Sequence, residues 1–307
     1  TGGIYRSFKN FKREIMKKNA IITGSDKKYF PFLNNLVNSL SKTNCLDVCD
    51  LCILDVENDS DYLKKIANKI SKKEKANFSL DIEFKDKKEW FKLLTERPFM
   101  KDYFPGYEKY IWMDADTEVL SIDGINNVLK ACQINDLAIA PEINESYVFK
   151  NNKFGIKKIF NSFYKISGWS FKNYKKYFSD DLGENLFFKP LFNNGVFCLN
   201  SDSDIWNLWK TEYQNALNKA KTSYGIKTDQ LSLNKVIYEN FNKISILDST
   251  NNWIISKSEK IKKIQKNFYT PSFPNRKINV LHYTNLSFND NFIVEENNVD
   301  KKISIKK

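Results

Sequence analysis

The sequence predicts an α/β protein in which a mostly parallel central sheet carries helices on both faces. Before residue 100, short apolar segments alternate with segments whose apolar residues recur at helical spacing. This alternation is typical of parallel strands joined by crossover helices. At 307 residues and 41% hydrophobic content, the chain is long enough to bury a large core. We therefore expect one large domain rather than two independent ones.

The first part of the chain has six predicted elements. Residues 19–23 form an apolar strand, and Phe32, Leu36 and Leu40 recur on one face of the helix that follows, with Pro31 in its first turn. The other elements are a strand within 46–56, a helix at 60–70, an alternating strand at 78–84 and a helix at 90–104. The glycine-rich signatures of a dinucleotide-binding loop and of a P-loop are both absent from the sequence.

The central stretch of the chain is residues 110–120, YIWMDADTEVL. The apolar run at its start predicts a buried strand that ends directly before Asp114, Ala115 and Asp116. Two carboxylates at positions i and i+2 point to the same side of a strand end, so both can bind one hard cation. Ala115 is small and lets a ligand approach the backbone. A plain turn is the alternative interpretation, because Asp is common in turns.

The second half of the chain has a less regular pattern. A strand at 137–140 ends at Pro141 and Glu142, and the aromatic-rich segment 143–190 then loses the alternation. A helix is predicted after Asp202 or Ser203. Polar groups border the remaining elements: Asn193, Asn194 and Gly195 precede a strand at 196–199, Asp229 and Gln230 open a helix, and His282 follows a strand at 278–281.

Each of these polar groups has a structural and a functional interpretation. Asp229 at a helix N-terminus is already explained by the helix dipole. His282 is the only histidine, and an imidazole is a suitable further ligand for Mn²⁺. Asp26 and Tyr29, after the first strand, can bind and stack on a nucleotide base, or can cap the next helix and pack in the core. Arg97 can clamp a phosphate or remain solvated.

The net charge of +12 favours anionic partners, of which nucleic acid, an acidic membrane surface and a nucleotide diphosphate are all consistent with it. Lysines are spread singly along most of the chain, so nucleic acid is not the expected partner. Five cysteines form an odd count that fits core thiols in a reducing, cytoplasmic compartment better than a disulfide framework. No stretch has the length and apolarity of a transmembrane helix.

Both ends of the chain are polar and basic. Residues 1–18 are predicted to be a solvated arm, with contact to the inner face of a membrane as the minority alternative. Residues 286–307 are predicted to be a poorly ordered tail. The first residue is Thr, so a lost leader remains open.

Four motifs together resemble a known family. The D-x-D after an aromatic strand is followed in order by F-N-x-G-V-x-x-x-N, D-Q-x-x-L-N and a late H-Y. Over residues 19–285 the chain resembles metal-dependent glycosyltransferases of the GT-A fold, most closely glycosyltransferase family 8. The resemblance implies a nucleotide-sugar-binding half at 19–140 and an acceptor and donor-sugar half at 141–285.

The resemblance also implies residue roles. Asp114, Asp116 and His282 are the implied ligands of Mn²⁺ or Mg²⁺. Arg97, Asp229 and Gln230 are the implied catalytic residues. The implied nucleotide-sugar contacts are Thr23, Asp26, Tyr29, Arg97, Ala115, Asn193, Asn194 and Gly195. The family often continues H-x-x-G-x-x-K-P-W, with the Lys on the diphosphate, whereas residues 282–288 here read HYTNLSF and lack both Gly and Lys.

We therefore expect transfer of a hexose from a UDP-sugar to an acceptor hydroxyl on a glycan or glycolipid, with retention implied by the resemblance. Three alternatives stay open. An inverting GT-A enzyme would need a carboxylate base, for which Glu142 is the candidate. A sugar-phosphate nucleotidyltransferase would need a glycine- and arginine-rich loop that is missing. A basic protein that binds nucleic acid or anionic glycans without catalysis is the third.

Overall fold

The computed structural model describes residues 17–57, 60–147, 155–159, 163–287 and 290–305. The strands within these residues are β1 (Asn19–Thr23), β2 (Asp50–Asp55), β3 (Lys72–Lys75), β4 (Lys109–Met113), β5 (Thr117–Val119), β6 (Leu137–Pro141), β7 (Gly155–Ile159), β8 (Phe163–Ser167), β9 (Phe192–Asn200), β10 (Ile244–Ile246), β11 (Trp253–Ile254), β12 (Ile261–Ile264), β13 (Asn267–Tyr269), β14 (Val280–His282), β15 (Asn291–Glu296) and β16 (Val299–Ser304). The α-helices are α1 (Phe30–Lys42), α2 (Lys92–Thr95), α3 (Met100–Tyr103), α4 (Asp123–Ile134), α5 (Trp169–Tyr177), α6 (Asp180–Leu186), α7 (Ile205–Asn218) and α8 (Asp229–Glu239).

The central sheet has seven strands in the order β10-β6-β9-β4-β1-β2-β3. All neighbouring pairs are parallel except the two that involve β9. Successive residues of a strand point to opposite faces, and both faces are buried. In β1, Ile21 packs in one apolar cluster, whereas Ala20 and Ile22 pack in the other. The predicted fold class, a mostly parallel sheet between helices, is confirmed.

Helices cover both faces of this sheet. On one face the cluster includes Leu33 of α1 and Val128 of α4. On the other face it includes Trp206 and Trp209 of α7 and Val236 of α8. Because both faces are dry, the central strands read as continuous apolar runs, which is why they could be recognised in the sequence.

The reversed direction of β9 determines which residues share an edge of the sheet. β9 pairs antiparallel with β4, and Met113 at the carboxyl end of β4 lies opposite Val196. The amino end of β9 therefore lies beside the residues that follow β4. Asn193, Asn194 and Gly195 lie inside this strand, not before it as predicted.

Three smaller sheets are also present in the described residues, one of which is the antiparallel pair of β7 and β8. A three-stranded sheet in the order β11-β14-β5 pairs His282 with Thr117. A four-stranded sheet has the order β13-β12-β15-β16. The prediction of a poorly ordered tail after residue 285 is wrong for the strands β15 and β16, which form a hairpin with a two-residue turn. Asn297 and Asn298 form that turn with φ values of 53° and 62°, and asparagine tolerates this region well.

Other local predictions also differ from the structure. The strand predicted at 78–84 is absent, and the third strand is instead the lysine-rich edge strand β3. The alternating apolar residues of 78–84 pack in the core instead: Leu80 and Ile82 are buried without strand pairing. The helix predicted at 90–104 is broken into short α and 3₁₀ turns around Pro98, because proline cannot continue a helical hydrogen-bond ladder. The helix at 60–70 is a 3₁₀ helix, Asp61–Lys69.

All five cysteines are buried and free, as predicted for core thiols. Within the described residues, none of the helices is long and apolar enough to cross a bilayer. The basic arm predicted at 1–18 lies outside the described residues except for Lys17 and Lys18.

Candidate metal centre and its surroundings

The three residues predicted as metal ligands lie together at the carboxyl edge of the sheet. Asp114 and Asp116 follow β4, and His282 ends β14, which is held against residues 116–119 by the pairing with β5. One ligand atom from each residue lies within 4.8 Å of the other two. The His282 Nε2 atom is 3.4 Å from Asp116 Oδ1 and 3.8 Å from Asp114 Oδ2. Two carboxylates and an imidazole are a donor set that suits Mn²⁺.

The electrostatics of this cluster couple the imidazole to the carboxylates. Burial lowers the pKa of His282, but the negative charges of Asp116 and Asp114 outweigh burial, so the pKa is raised. Burial raises the pKa of Asp116, but the positive charge of His282 outweighs it, so that pKa is lowered. The negative charges of Asp114 and Asp116 thus favour a positive charge beside them.

Gly195 lies against this cluster. Its backbone carbonyl accepts a hydrogen bond from the Asp114 N–H at 2.7 Å. A Cβ atom at this position would lie 2.3 Å from His282 Cε1 and 2.9 Å from Asp114 Oδ2. No other residue type fits without moving a candidate ligand, so the requirement for glycine is steric.

Arg97 joins the metal cluster to the start of α8. Its two terminal nitrogens donate to Asp114 Oδ1 at 2.5 Å and to Asp229 Oδ2 at 2.6 Å, and its guanidinium lies over the Trp112 ring. Trp112 Nε1 also donates to Asp114 Oδ1, at 2.7 Å. The two oxygens of Asp114 therefore have different surroundings: Oδ1 is bound by protein donors, and Oδ2 faces His282.

Asp229 is fully enclosed at the N-terminus of α8. Asn194 Nδ2 donates to the same Oδ2 atom that binds Arg97, at 2.8 Å. Burial raises the pKa of Asp229, and Arg97 and Asn194 partly oppose this effect. Trp209 Nε1 donates to the backbone carbonyl of Asp229 and fixes the start of the helix.

A second carboxylate, Glu142, binds the remaining amides. Its Oε1 atom accepts from Asn193 Nδ2 at 2.8 Å and from Gln230 Nε2 at 2.9 Å. Its Oε2 atom accepts from Lys257 Nζ. Burial raises the pKa of Glu142, but the charge and hydrogen bond of Lys257 and the two amides outweigh burial and lower it. Glu142 is therefore an ionised carboxylate held on all sides.

No protein-family profile matches this chain. No curated protein sequence matches it either. Solved structures do. The apo structure of the bifunctional glycosyltransferase WbbM aligns over 93% of this chain with a TM-score of 0.55 and 15% identity, and this chain spans 48% of that protein's length. Galactosyltransferase LgtC in complex with donor and acceptor sugar analogues aligns over 86% of this chain and 87% of its own, with a TM-score of 0.51 and 13% identity.

This chain has the GT-A fold. At these identities the likeness concerns the fold, and residue roles depend on the geometry of the chain itself. In a GT-A sheet, as in other open α/β sheets, the carboxyl edge of the parallel strands is where ligands bind. The cluster of Asp114, Asp116 and His282 lies at this edge.

The residues predicted to contact the nucleotide lie at the same edge of the GT-A sheet, after β1. Asp26 Oδ1 accepts a hydrogen bond from the Tyr29 N–H at 2.8 Å, within the turn that leads into α1, whereas α1 itself has no side-chain cap. Tyr29 is 44% exposed. Burial raises the pKa of Tyr29, and the charges of Asp116 and then Asp26 add to this effect, so the two sites are electrostatically linked. The buried hydroxyls of Thr23 and Ser25 have no hydrogen-bond partner among the described residues.

Sequence reasoning missed two residues of this network. Lys257 neutralises Glu142, and Asn252 binds His282 Nδ1 through its Oδ1 atom at 2.9 Å. Neither residue belongs to the motifs described above. The structure explains their position, since Asn252 lies just before β11 and Lys257 after it, and β11 pairs with the strand that carries His282.

Proposed function

We propose that this chain is a metal-dependent glycosyltransferase that moves a hexose from a UDP-sugar to a hydroxyl of a glycan or glycolipid acceptor. The observation that carries the proposal is the cluster of Asp114, Asp116 and His282 at the carboxyl edge of a GT-A sheet. Mn²⁺ is the expected cation and Mg²⁺ the alternative, since the donor set combines carboxylates with an imidazole.

The metal would stabilise the leaving group. A nucleotide diphosphate departs with developing negative charge, which a bound divalent cation stabilises as a Lewis acid. Asp114, Asp116 and His282 are the residues that would hold this cation. Arg97 orients Asp114 through Oδ1 and leaves Oδ2 on the side of His282. Its buried Nε–H has no hydrogen-bond partner among the described residues.

Retention of the anomeric configuration is part of the proposal, and the surroundings of the carboxylates support it. An inverting enzyme needs a carboxylate base facing the acceptor. Glu142, the candidate for that role, has both oxygens bound by Asn193, Gln230 and Lys257, and its lowered pKa makes it a weak base. Asp229 Oδ2 is bound by Arg97 and Asn194, which disfavours attack of this carboxylate on the sugar. A front-face substitution in which the leaving phosphate accepts the acceptor's proton is therefore favoured.

The donor would lie along the sheet edge. Thr23, Asp26 and Tyr29 would contact the uridine, and the 44% exposed ring of Tyr29 can stack on the base. The hexose would lie against the residues around β9 and α8: Ala115, Asn193, Asn194, Gly195, Asp229 and Gln230. The acceptor is proposed only by class. Cytoplasmic placement is proposed from the five free cysteines. Peripheral contact of the basic segments with a membrane is proposed from the charge of +12.

The direct test is Asp116→Asn, assayed for Mn²⁺-dependent hydrolysis or transfer from a UDP-sugar. Asn cannot supply the negative charge that the cation needs, so we expect kcat to fall by at least ~10²–10³-fold. Asp114→Asn should behave similarly, with a further loss from the broken contact to Arg97. Thermal-shift screening of UDP-, GDP- and CDP-sugars with and without Mn²⁺ identifies the donor to use.

Asp50→Asn is the matched control. Asp50 is also a buried carboxylate of the central sheet, but it lies at the amino end of β2 and binds Tyr107. This variant should keep metal-dependent turnover. Wild-type turnover in Asp116→Asn would refute the proposal. Salt-sensitive binding to DNA without any response to Mn²⁺ and UDP would instead support the non-catalytic binding protein.

A further inference from the structure

Asn252 lies between the candidate metal ligand His282 and the sugar-side residue Asn193. It is 2% exposed and immediately precedes β11, which runs parallel to the strand that carries His282. Its Oδ1 atom is 2.9 Å from His282 Nδ1, and its Nδ2 atom is 2.9 Å from Asn193 Oδ1. Both ends of the amide are thus bound.

The orientation of this chain of amides follows from a backbone donor. The Gly195 N–H can only donate, and it donates to Asn193 at 2.9 Å, so the accepting atom of Asn193 is its oxygen. The other end of the Asn193 side chain faces the Glu142 carboxylate, which can only accept and therefore requires the NH₂ group there. The two observations assign the same orientation to Asn193.

Asn252 is then assigned in turn. The Asn193 oxygen also faces Asn252, so the Asn252 atom on that side is the NH₂ nitrogen. The opposite end, which faces His282, is the carbonyl oxygen. A carbonyl oxygen accepts, so His282 Nδ1 carries a proton. In the neutral ring this leaves the lone pair on Nε2, the atom that faces Asp114 and Asp116.

We propose that Asn252 is a positioning residue that holds the Nδ1 proton of His282 and so presents the Nε2 lone pair to the metal. Partners of this kind orient metal-binding histidines and fix their tautomer. The same amide ties the imidazole to Asn193, and through Glu142 to Gln230, so the metal side and the sugar side form one hydrogen-bonded network. The proposal rests on the proposed function for the presence of a metal, but the tautomer can be measured without it.

The tautomer is directly measurable because the chain has one histidine. The protein would be ¹⁵N-histidine-labelled, purified with a tag that contains no histidine, and studied without metal in alkaline buffer, where the ring is neutral. Long-range ¹H–¹⁵N correlations should show the proton on Nδ1 and the lone pair on Nε2. A wild-type ring protonated on Nε2 overturns the proposal, whatever the variants do.

Variants of Asn252 test the consequence for metal binding, measured as the Kd for Mn²⁺ by electron paramagnetic resonance. Asn252→Leu removes the acceptor, and we expect the Kd to rise ~10–100-fold. Asn252→Asp keeps an acceptor for the Nδ1 proton, so Mn²⁺ affinity and the Nδ1–H tautomer should both be retained. This variant loses only the hydrogen bond that Asn252 donates to Asn193.

The neighbouring Asn251 provides the matched control. Asn251 is also buried, but its side chain hydrogen-bonds to Asp248, Asn127 and Asn279 in the described part of the chain, and not to His282. Asn251→Leu should lower the Tm without changing the Kd for Mn²⁺. Equal Mn²⁺ affinity in Asn252→Leu and Asn251→Leu would overturn the proposal.

The outcome is separable from that of the transferase assay. An Nδ1–H ring with Mn²⁺ binding but no sugar turnover would refute the proposed function and leave the role of Asn252 intact. An active transferase whose histidine carries its proton on Nε2 would refute only the role of Asn252.

Discussion

Two arginines in the described part of the chain each bridge two carboxylates, yet their surroundings differ. The Arg97 side chain is 6% exposed and joins Asp114 to Asp229. The Arg276 side chain is 36% exposed and joins Asp248 to Glu145. The chemistry of the two clamps is the same, and the difference is access of water to the charges.

This comparison shows why burial marks the candidate site better than charge does. Water screens the Arg276 clamp, so that clamp contributes little to stability. The Arg97 clamp has lost its hydration, and its charges depend on one another for compensation. The Arg97 clamp fixes the positions of the charges that it joins, which here are one oxygen of a candidate metal ligand and the start of α8.

Arg97→Met gives the largest expected effect on stability. Removal of the guanidinium leaves the buried Asp229 and the half-buried Asp114 without their shared counter-charge. We expect the free energy of unfolding to fall by ~3–5 kcal/mol, measured by urea denaturation near neutral pH. An unchanged urea midpoint would show that the two carboxylates are hydrated despite their burial.

Gly195→Ala tests the same region through packing. The new methyl group would lie 2.3 Å from His282 Cε1, so the imidazole has to move. We expect a loss of ~1–3 kcal/mol in the free energy of unfolding, typical of overpacking, together with a higher Kd for Mn²⁺. Gly183→Ala is the control, because its methyl group meets only the flexible Lys175 side chain and the Phe171 carbonyl on α5. If both variants bind Mn²⁺ like wild type, Gly195 does not constrain the candidate ligands.

Arg276→Met gives the smallest expected effect. Its carboxylate partners are more than a third exposed, so solvent screening leaves the loss at ~0–1 kcal/mol, and high salt should remove most of the remainder. Urea denaturation at low and high ionic strength measures both the loss in the free energy of unfolding and its dependence on salt. A loss as large as that of Arg97→Met would mean that the contrast between the two clamps is not one of hydration.

Sequence reasoning succeeded where the physical cause is local. The strands β1 and β4 are continuous apolar runs because both faces of the sheet are covered, and α1 shows its spacing because one face packs on that sheet. Sequence reasoning failed where the packing partners of a segment are distant in the chain. The alternation at 78–84 reflects packing without pairing, and β15 and β16 form strands because their apolar residues pack in a cluster with Trp253 and Tyr283.

Some features of the candidate site could likewise be predicted from the sequence, whereas others could not. The pair Asp114 and Asp116, their position directly after an apolar strand, and the amides beside Gly195 are legible in the sequence, because neighbouring residues in a strand have a fixed geometry. The role of Arg97 as a clamp between two carboxylates and the neutralisation of Glu142 by Lys257 required the structure.

By itself, the sequence determined the alternation of strands and helices and the chemical type of the candidate ligands, since both depend on short-range periodicity and side-chain chemistry. Tertiary structure decided which candidate ligands meet. The antiparallel course of β9 brings Gly195 beside Asp114, and the pairing of β14 with β5 brings His282 beside Asp116. These contacts span 81 and 166 residues of chain, and only strand pairing across the folded core sets distances over such separations.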